Sequence, residues 1–293
     1  MEILLTGGSG FVGAYVKRQL VVTDLPEFID ICDLEALTSY FESHTPDYVI
    51  HLAAQSFVPE SFENPKKTFD VNFIGTFNLL SALEGADFKG RFLYVSSSDV
   101  YGLVSKKMQP ISELQLTMPR SPYAVSKVAA EALCYQYSIS SQFECIIVRP
   151  FNHIGPGQSE QFVISNFAKQ LVEIKLGLRK SKLNVGDIDV YRDFTDVRDV
   201  VQAYKLLLNE GANSEIYNIC SGTGRKVRDL IEIMIGQLNI EVNIVVDENR
   251  LRKSEQPYVS GNYKKLAEVT GWSPNIDIND SIADILEYWE NNL

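Results

Sequence analysis

Four short apolar runs, "EILLT" (2–6), "DYVIHLAA" (47–54), "RFLYVSSS" (91–98) and "ECIIVRP" (144–150), alternate with amphipathic helical stretches at 11–20, 34–43, 66–84 and 122–140. This alternation constrains the fold more than any other feature. Strands joined through helices pair in parallel, and a parallel sheet needs helices on both faces. The expected fold is α/β, a doubly wound parallel sheet. After Pro150 come the Gly-Pro loop "NHIGPGQ", the helical stretch "QFVISNFAKQLVEIKLG", and then "VYRDFTDVRDVVQAYKLLL" and "EIYNICSG", read as strand, helix and strand. The tail from about 223 reads as two helices around "IEVNIVVD", and no internal repeat is visible.

The first strand runs into "TGGSGFVG", which sets Gly7, Gly10 and Gly13 at a strand-to-helix junction. Glycines there permit a tight turn and close backbone approach, and the helix N-terminus offers unpaired N–H groups to a pyrophosphate. A glycine-rich turn is weak evidence alone. At this junction of a parallel sheet it points to a bound dinucleotide. An acidic residue about 20 positions on commonly holds the adenosine ribose. Asp33 has nearly that spacing, but a helix follows at Leu34, so Asp33 is expected to end the strand beside the first and meet the adenine edge. Only "VVTDLPEFIDICD" (21–33) is then left for the second strand, its helix and the return. A strand, helix and strand with connections need roughly 25 to 30 residues. The second helix should be absent and the second strand vestigial or lost, with no carboxylate on the 2′-hydroxyl and weak discrimination between NAD and NADP.

Within "RSPYAVSKV" (120–128), Ser121 is a good helix N-cap and Pro122 suits the first helical position. Tyr123 and Lys127, four residues apart, then share one helix face. A lysine one turn from a phenol can lower the phenol's pKa and make it a usable acid or base, although an ordinary surface pair has the same spacing. Ser96, Ser97, Ser98 and Asp99 follow a buried strand at its carboxyl end, where open parallel sheets bind ligands. They read equally as a turn or a helix cap.

Composition removes other classes. The 293 residues are 45% hydrophobic and 22% charged, with no apolar run near the roughly 18 residues of a membrane span. The opening "MEILLTGGSG" reads as a buried strand, not a signal peptide, so a soluble cytoplasmic protein is expected. The four cysteines (Cys32, Cys134, Cys145, Cys220) are scattered and read as reduced core residues, and no metal-ligand cluster is visible. The formal charge of −11 argues against nucleic acid or an anionic membrane as a partner. It leaves room for an anionic ligand held by a few local arginines.

Seven ordered motifs, the T-G-x-x-G-x-x-G turn, "HLAAQ", "DVNFIGT", "VSSSDVYG", "SPYAVSK", "VRPFNHIGPGQ" and "RDFTDVRDV", resemble the extended short-chain dehydrogenase/reductases that act on nucleotide-sugars. Within that group, "RPFNHIGPGQ", "FAKQLVEI" and "VYRDFTDVRDVVQAY" are most similar to the GDP-6-deoxy-4-keto-D-mannose reductases, whose near relatives are the GDP-mannose 4,6-dehydratases. The resemblance implies a Rossmann domain over 1–151 with return segments at about 195–221. A smaller α/β nucleotide-sugar domain would comprise 152–194 and 222–293. It implies a catalytic group of Ser97, Tyr123 and Lys127, a cofactor of NADP or NAD, and a homodimer. Gly7, Gly10, Phe11, Val12 and Gly13 would hold the pyrophosphate, Asp33 and Leu34 the adenine, and Leu52, Ala53 and Ala54 the adenosine side. The GDP-sugar would meet Ser97, Asp99, Asn152, Lys169, Arg192, Arg252 and Glu255. Two features depart from the family's pattern, the shortened second-strand region and Lys253 where proline is usual.

The implied reaction is reduction of the C4 ketone of GDP-4-keto-6-deoxy-D-mannose to GDP-D-rhamnose, with Tyr123 as general acid. A 4,6-dehydratase or 4-epimerase is the alternative, with Asp99 near where an eliminating base is needed. There "SSSD" departs from the Thr-Asp-Glu or Thr-Ser-Glu of dehydratases. A non-enzymatic dinucleotide sensor is a third reading, since fold alone does not set function; the joint presence of Ser97, Tyr123 and Lys127 speaks against it.

Overall fold

The apolar runs become neighbours in one parallel sheet. The computed structural model describes residues 2–247 and 256–293. In chain order its strands are β1 (Ile3–Thr6), β2 (Thr23–Asp24), β3 (Tyr48–His51), β4 (Arg91–Val95), β5 (Glu144–Pro150), β6 (Asn152–Ile154), β7 (Lys182–Val185), β8 (Tyr191–Asp196), β9 (Ile216–Ile219), β10 (Gly224–Lys226) and β11 (Asn243–Val246). The helices are α1 (Phe11–Gln19), α2 (Leu34–Phe41), α3 (Val58–Glu63), α4 (Pro65–Phe69), α5 (Gly75–Gly85), α6 (Pro122–Ser140), α7 (Val163–Lys175), α8 (Val197–Glu210), α9 (Val227–Leu238), α10 (Lys264–Thr270) and α11 (Ile278–Glu290).

The main sheet has the order β2-β1-β3-β4-β5-β9, and each of its pairings is parallel. Side chains alternate across it, with Leu4 packing among α2, α5 and α6 on one face while Ile3 and Leu5 pack among α1 and α8 on the other. This is a Rossmann-type doubly wound sheet. The winding reverses at β1, which has β2 on one side and β3 on the other, and such a switch point opens a ligand crevice at the strands' carboxyl ends. A separate apolar cluster joins α7, β7, α9 and α11, beside the small sheets β10-β8-β6 and β11-β7. No helix among the described residues is long and apolar enough to cross a membrane.

Residues 21–33 hold no helix, and β2 is two residues long, as the segment's length demands. The expected place of Asp33 is corrected. It does not end the strand beside β1; it caps α2, accepting from Ala36 N at 3.0 Å, and the strand beside β1 ends at Asp24. The predicted helix over 66–84 is also interrupted. Residues Asp70–Ile74 form a π-turn between α4 and α5, which periodicity read as one continuous helix. The tail carries α9, α10 and α11 where two helices were expected; α10 spans only seven residues, too short to show a period.

Candidate active site

Ser121 caps α6 by accepting from Ala124 N at 3.1 Å, with Pro122 in the first turn. The helix then carries Tyr123, Lys127 and Glu131 at four-residue steps, all buried. Lys127 Nζ donates to the Val95 carbonyl at 2.8 Å and lies 5.0 Å from the centroid of the Tyr94 ring. Two residues beyond Val95, Ser97 caps the 3₁₀ turn Ser98–Tyr101, its hydroxyl accepting from Asp99 N at 3.1 Å and hydrogen-bonding the Tyr123 phenol. Ser97, Tyr123 and Lys127 therefore converge at the carboxyl end of β4.

The electrostatics differ from the expectation for this pair. The Tyr123 phenol is pushed up from its ordinary range, first by burial and then by the Asp99 charge, with the Ser97 hydrogen bond opposing. Lys127 has already lost its proton at the pH where this phenol titrates, so it does not lower the phenol there. The ammonium turns to the Val95 carbonyl and stands 6.0 Å from the Tyr123 ring centroid. Burial instead lowers Lys127 itself to about 8, with Cys134 and Glu131 opposing. His51, fully enclosed and near the Lys127 charge, falls to about 3 and is neutral. The result is a neutral phenol beside a titratable amine, which is a proton donor rather than a phenolate base.

The glycine-rich turn is shaped for a close ligand. Gly7 has φ +74°, and a Cβ there would lie 2.7 Å from Ala53 N, so the backbone of Leu52 and Ala53 presses directly on the turn. A Cβ on Gly13 would fall 2.5 Å from the Gly7 carbonyl oxygen. Gly10 caps α1 with no side-chain acceptor, leaving the first-turn N–H groups around Phe11, Val12 and Gly13 without the partner a Ser or Asp cap provides. Asp24 completes the cradle. Its carboxylate lies against Gly8, where a Cβ would be 2.0 Å from Oδ1. Oδ2 accepts from Lys17 Nζ at 2.8 Å, while Oδ1 is buried without a partner. An orphaned carboxylate oxygen at the end of β2, beside a turn that only glycines fit, suits the ribose hydroxyl of a dinucleotide. The sequence reading missed Asp24 because spacing pointed to Asp33.

A second missed residue is Asn72, at the centre of the π-turn. Its Oδ1 accepts from Gln55 N at 2.8 Å, and its Nδ2 donates to the Gln55 carbonyl at 3.0 Å and to Ser126 Oγ at 3.0 Å. Ser126 Oγ in turn donates to the Tyr123 carbonyl at 2.7 Å. π-turns often mark functional positions, and this one ties the β3 exit to the start of α6. Its signal was the asparagine of "DVNFIGT", hidden by a regular helical pattern.

The residues assigned to the sugar nucleotide are more dispersed. Asn152 is exposed at the start of β6, which pairs with β8, and Asn152 stands opposite Phe194. Arg192 lies on β8 and donates through Nη1 to the carbonyls of Tyr191 at 2.8 Å and Gln256 at 2.7 Å. Lys169 of α7 is paired with Glu160 and sits 5.3 Å from the Trp289 ring centroid, which ties it to α11. Leu34, in the first turn of α2, is exposed. Arg252 and Glu255 lie outside the described residues.

The profile of the GDP-mannose 4,6-dehydratase family matches residues 25–285. The chain belongs to the GDP-mannose 4,6-dehydratase family. It is 44% identical to GDP-6-deoxy-D-mannose reductase of Pseudomonas aeruginosa, over 100% of this chain and 98% of that protein. It is 30% identical to GDP-6-deoxy-D-talose 4-dehydrogenase of Aggregatibacter actinomycetemcomitans, over 92% of each chain. The solved structure of RMD from Pseudomonas aeruginosa complexed with NADPH superposes with a TM-score of 0.95 at 44% identity, covering 100% of this chain and 99% of that one. Over its full length the chain shares the fold of that NADPH-bound structure.

Proposed function

We propose that the protein reduces the C4 ketone of GDP-4-keto-6-deoxy-D-mannose to GDP-D-rhamnose, using NADPH or NADH. The full-length match to a GDP-6-deoxy-D-mannose reductase carries this reading. The neutral Tyr123 phenol hydrogen-bonded to Ser97 supports it. Gly7, Gly10, Phe11, Val12 and Gly13 hold the cofactor pyrophosphate, Asp24 the ribose, Asp33 and Leu34 the adenine, and Leu52, Ala53 and Ala54 the adenosine side. Bound there, the reduced nicotinamide supplies the hydride that C4 receives. Tyr123 gives its proton to the ketone oxygen as that oxygen gains charge, and Ser97 aligns the donor. The Lys127 ammonium stabilises the phenolate left behind until solvent reprotonates it. Asn152, Lys169, Arg192, Arg252 and Glu255 hold the GDP-sugar, with the arginines suited to its diphosphate.

In this reading 1–151 with 195–221 forms the dinucleotide domain, and 152–194 with 222–293 the nucleotide-sugar domain; the separate apolar cluster of α7, α9 and α11 supports the division. The protein acts as a cytoplasmic homodimer. Exposed Ile74, Phe77, Tyr135 and Ile139 on the neighbouring α5 and α6 region supply an apolar face for a second copy. The four free cysteines suit a reducing compartment.

One observation favours a second reading. The Asp99 charge acts on Tyr123, which is where a 4,6-dehydratase needs a carboxylate. A single assay separates the two. Stoichiometric oxidation of NADPH or NADH with the 4-keto sugar supports the reductase. Turnover of GDP-mannose without net oxidation supports the dehydratase, and inertness toward both leaves a dinucleotide sensor.

A further inference from the structure

Behind the catalytic group lies a buried ion pair that the mechanism above does not use. Glu131, one turn beyond Lys127 on α6, receives two hydrogen bonds from Arg149 of β5, Nε to Oε1 at 2.9 Å and Nη2 to Oε2 at 2.6 Å. The side chains are 7% and 5% exposed. Desolvating two charges is expensive, and such a pair is weak support for stability against an apolar alternative. Its surroundings indicate a different use. Glu131 Oε1 also accepts from Ser96 Oγ at 2.5 Å. Ser96 N donates to the Val148 carbonyl at 2.8 Å, and the preceding carbonyl, Val95, is held by Lys127. The Arg149 guanidinium is itself fixed, lying 4.8 Å from the centroid of the Tyr101 ring, whose hydroxyl donates to Asn218 Oδ1 at 2.7 Å. The two residues immediately before Ser97 are therefore clamped by Lys127 and Glu131, neighbours on one helix face.

We propose that Glu131, locked by Arg149, is a positioning residue of the proton-donating group: it fixes Ser96, and through Ser96 the Ser97 hydroxyl that meets the Tyr123 phenol. The carboxylate has a second effect through space, because its charge favours the Lys127 ammonium. The groups that face Lys127 are Glu131, Cys134 and Tyr123 on α6, Tyr94 on β4 and His51 on β3. Among these, Glu131 is the carboxylate. This role rests on the reductase reading.

Two variants test it in the NADPH-oxidation assay. Ser96→Ala removes only the tether and leaves the Glu131–Arg149 pair intact. It is expected to lower kcat by about 10- to 100-fold, the scale of a misplaced catalytic group, with KM for the sugar nucleotide and cofactor affinity within about twofold. Glu131→Gln is expected to lower kcat similarly and to move the basic limb of its pH profile to lower pH, since the charge that favours the Lys127 ammonium is gone. A purely structural pair would lower the melting temperature and leave kcat of the folded fraction and the limb unmoved; that result overturns the proposal. If Glu131→Gln fails to fold because Arg149 is left uncompensated, Ser96→Ala decides alone, and unchanged kcat in it is likewise fatal. Wild-type turnover in the same assay keeps the two readings apart, because a silent wild type sinks the reductase and an active one with unaffected Ser96→Ala sinks only the positioning role.

Discussion

Lys17 Nζ and Asp24 Oδ2 meet at 2.8 Å beside the glycine-rich turn, with both side chains about two-fifths exposed. A carboxylate at this place accepts from the 2′-hydroxyl of an adenosine ribose, whereas a 2′-phosphate is repelled by it and attracted by the lysine. The pair presents both signs at once. An exposed ion pair of this kind is worth only about 0–1 kcal/mol, so a ligand can recruit either partner at little cost. Weak discrimination between NADH and NADPH is thus expected from a neutralised clamp, where the sequence reading expected it from a missing one.

Asp24→Ala should release Lys17 and remove the acceptor for the 2′-hydroxyl. The ratio of kcat/KM for NADPH over NADH should rise by about tenfold or more, worth ~1.4 kcal/mol. Paired kinetics with the two cofactors measure it. An unchanged ratio would take Asp24 out of the ribose site.

Tyr123→Phe removes the transferable proton and leaves the ring in its buried place. Turnover should drop by ~10²–10⁴-fold, the usual contribution of a positioned acid, while cofactor binding and thermal stability stay near wild type. Near-normal turnover in that variant eliminates Tyr123 as the donor.

The parts of this molecule that sequence discloses are those with local signals. β1, β3, β4 and β5 were visible because each is a continuous apolar run buried on both faces, and α6 because Ser121 and Pro122 mark its start. Ser97, Tyr123 and Lys127 were legible from motifs, but the direction of the Tyr123 shift was not, since it depends on burial and on which acceptor Lys127 reaches. Asp24 sits on a strand of two residues, which has no period to detect. The Glu131–Arg149 pair joins residues 18 apart through the packing of α6 on β5, and no spacing rule announces it.

Arg192→Ala should act on the nucleotide-sugar alone. The guanidinium is carried by β8, in the small sheet β10-β8-β6 and not in the sheet whose β1 leads into the glycine-rich turn, and it reaches the Gln256 carbonyl at 2.7 Å. A lost charge-assisted contact costs roughly 1.5–3 kcal/mol, so KM for the GDP-sugar should rise by about 10- to 100-fold. Calorimetric titration of NADPH should give an unchanged affinity. A fall in cofactor affinity instead would put Arg192 in the other pocket.

The last prediction concerns pH. Burial lowers Lys127 to about 8 from its ordinary 10.5. If the ammonium stabilises the Tyr123 phenolate, kcat should hold below pH 8 and fall as pH rises through about 8, and Lys127→Met should lose that limb along with most of its turnover. Stability moves the opposite way. Below about 8 the amine is charged in both the folded and unfolded chain, and the cost of burying the charge is fully present. Between about 8 and 10.5 the unfolded chain keeps the proton that the folded chain has released. It then binds more protons than the native state, so folding stability rises with pH across that window. Denaturant unfolding of wild type and Lys127→Met from pH 7 to 10 isolates this contribution, because the variant lacks the titrating amine and shares every other group. The wild type should gain on the variant as pH rises. A constant difference between the two, or a kinetic limb near 10.5, would show that Lys127 titrates as an ordinary solvated lysine.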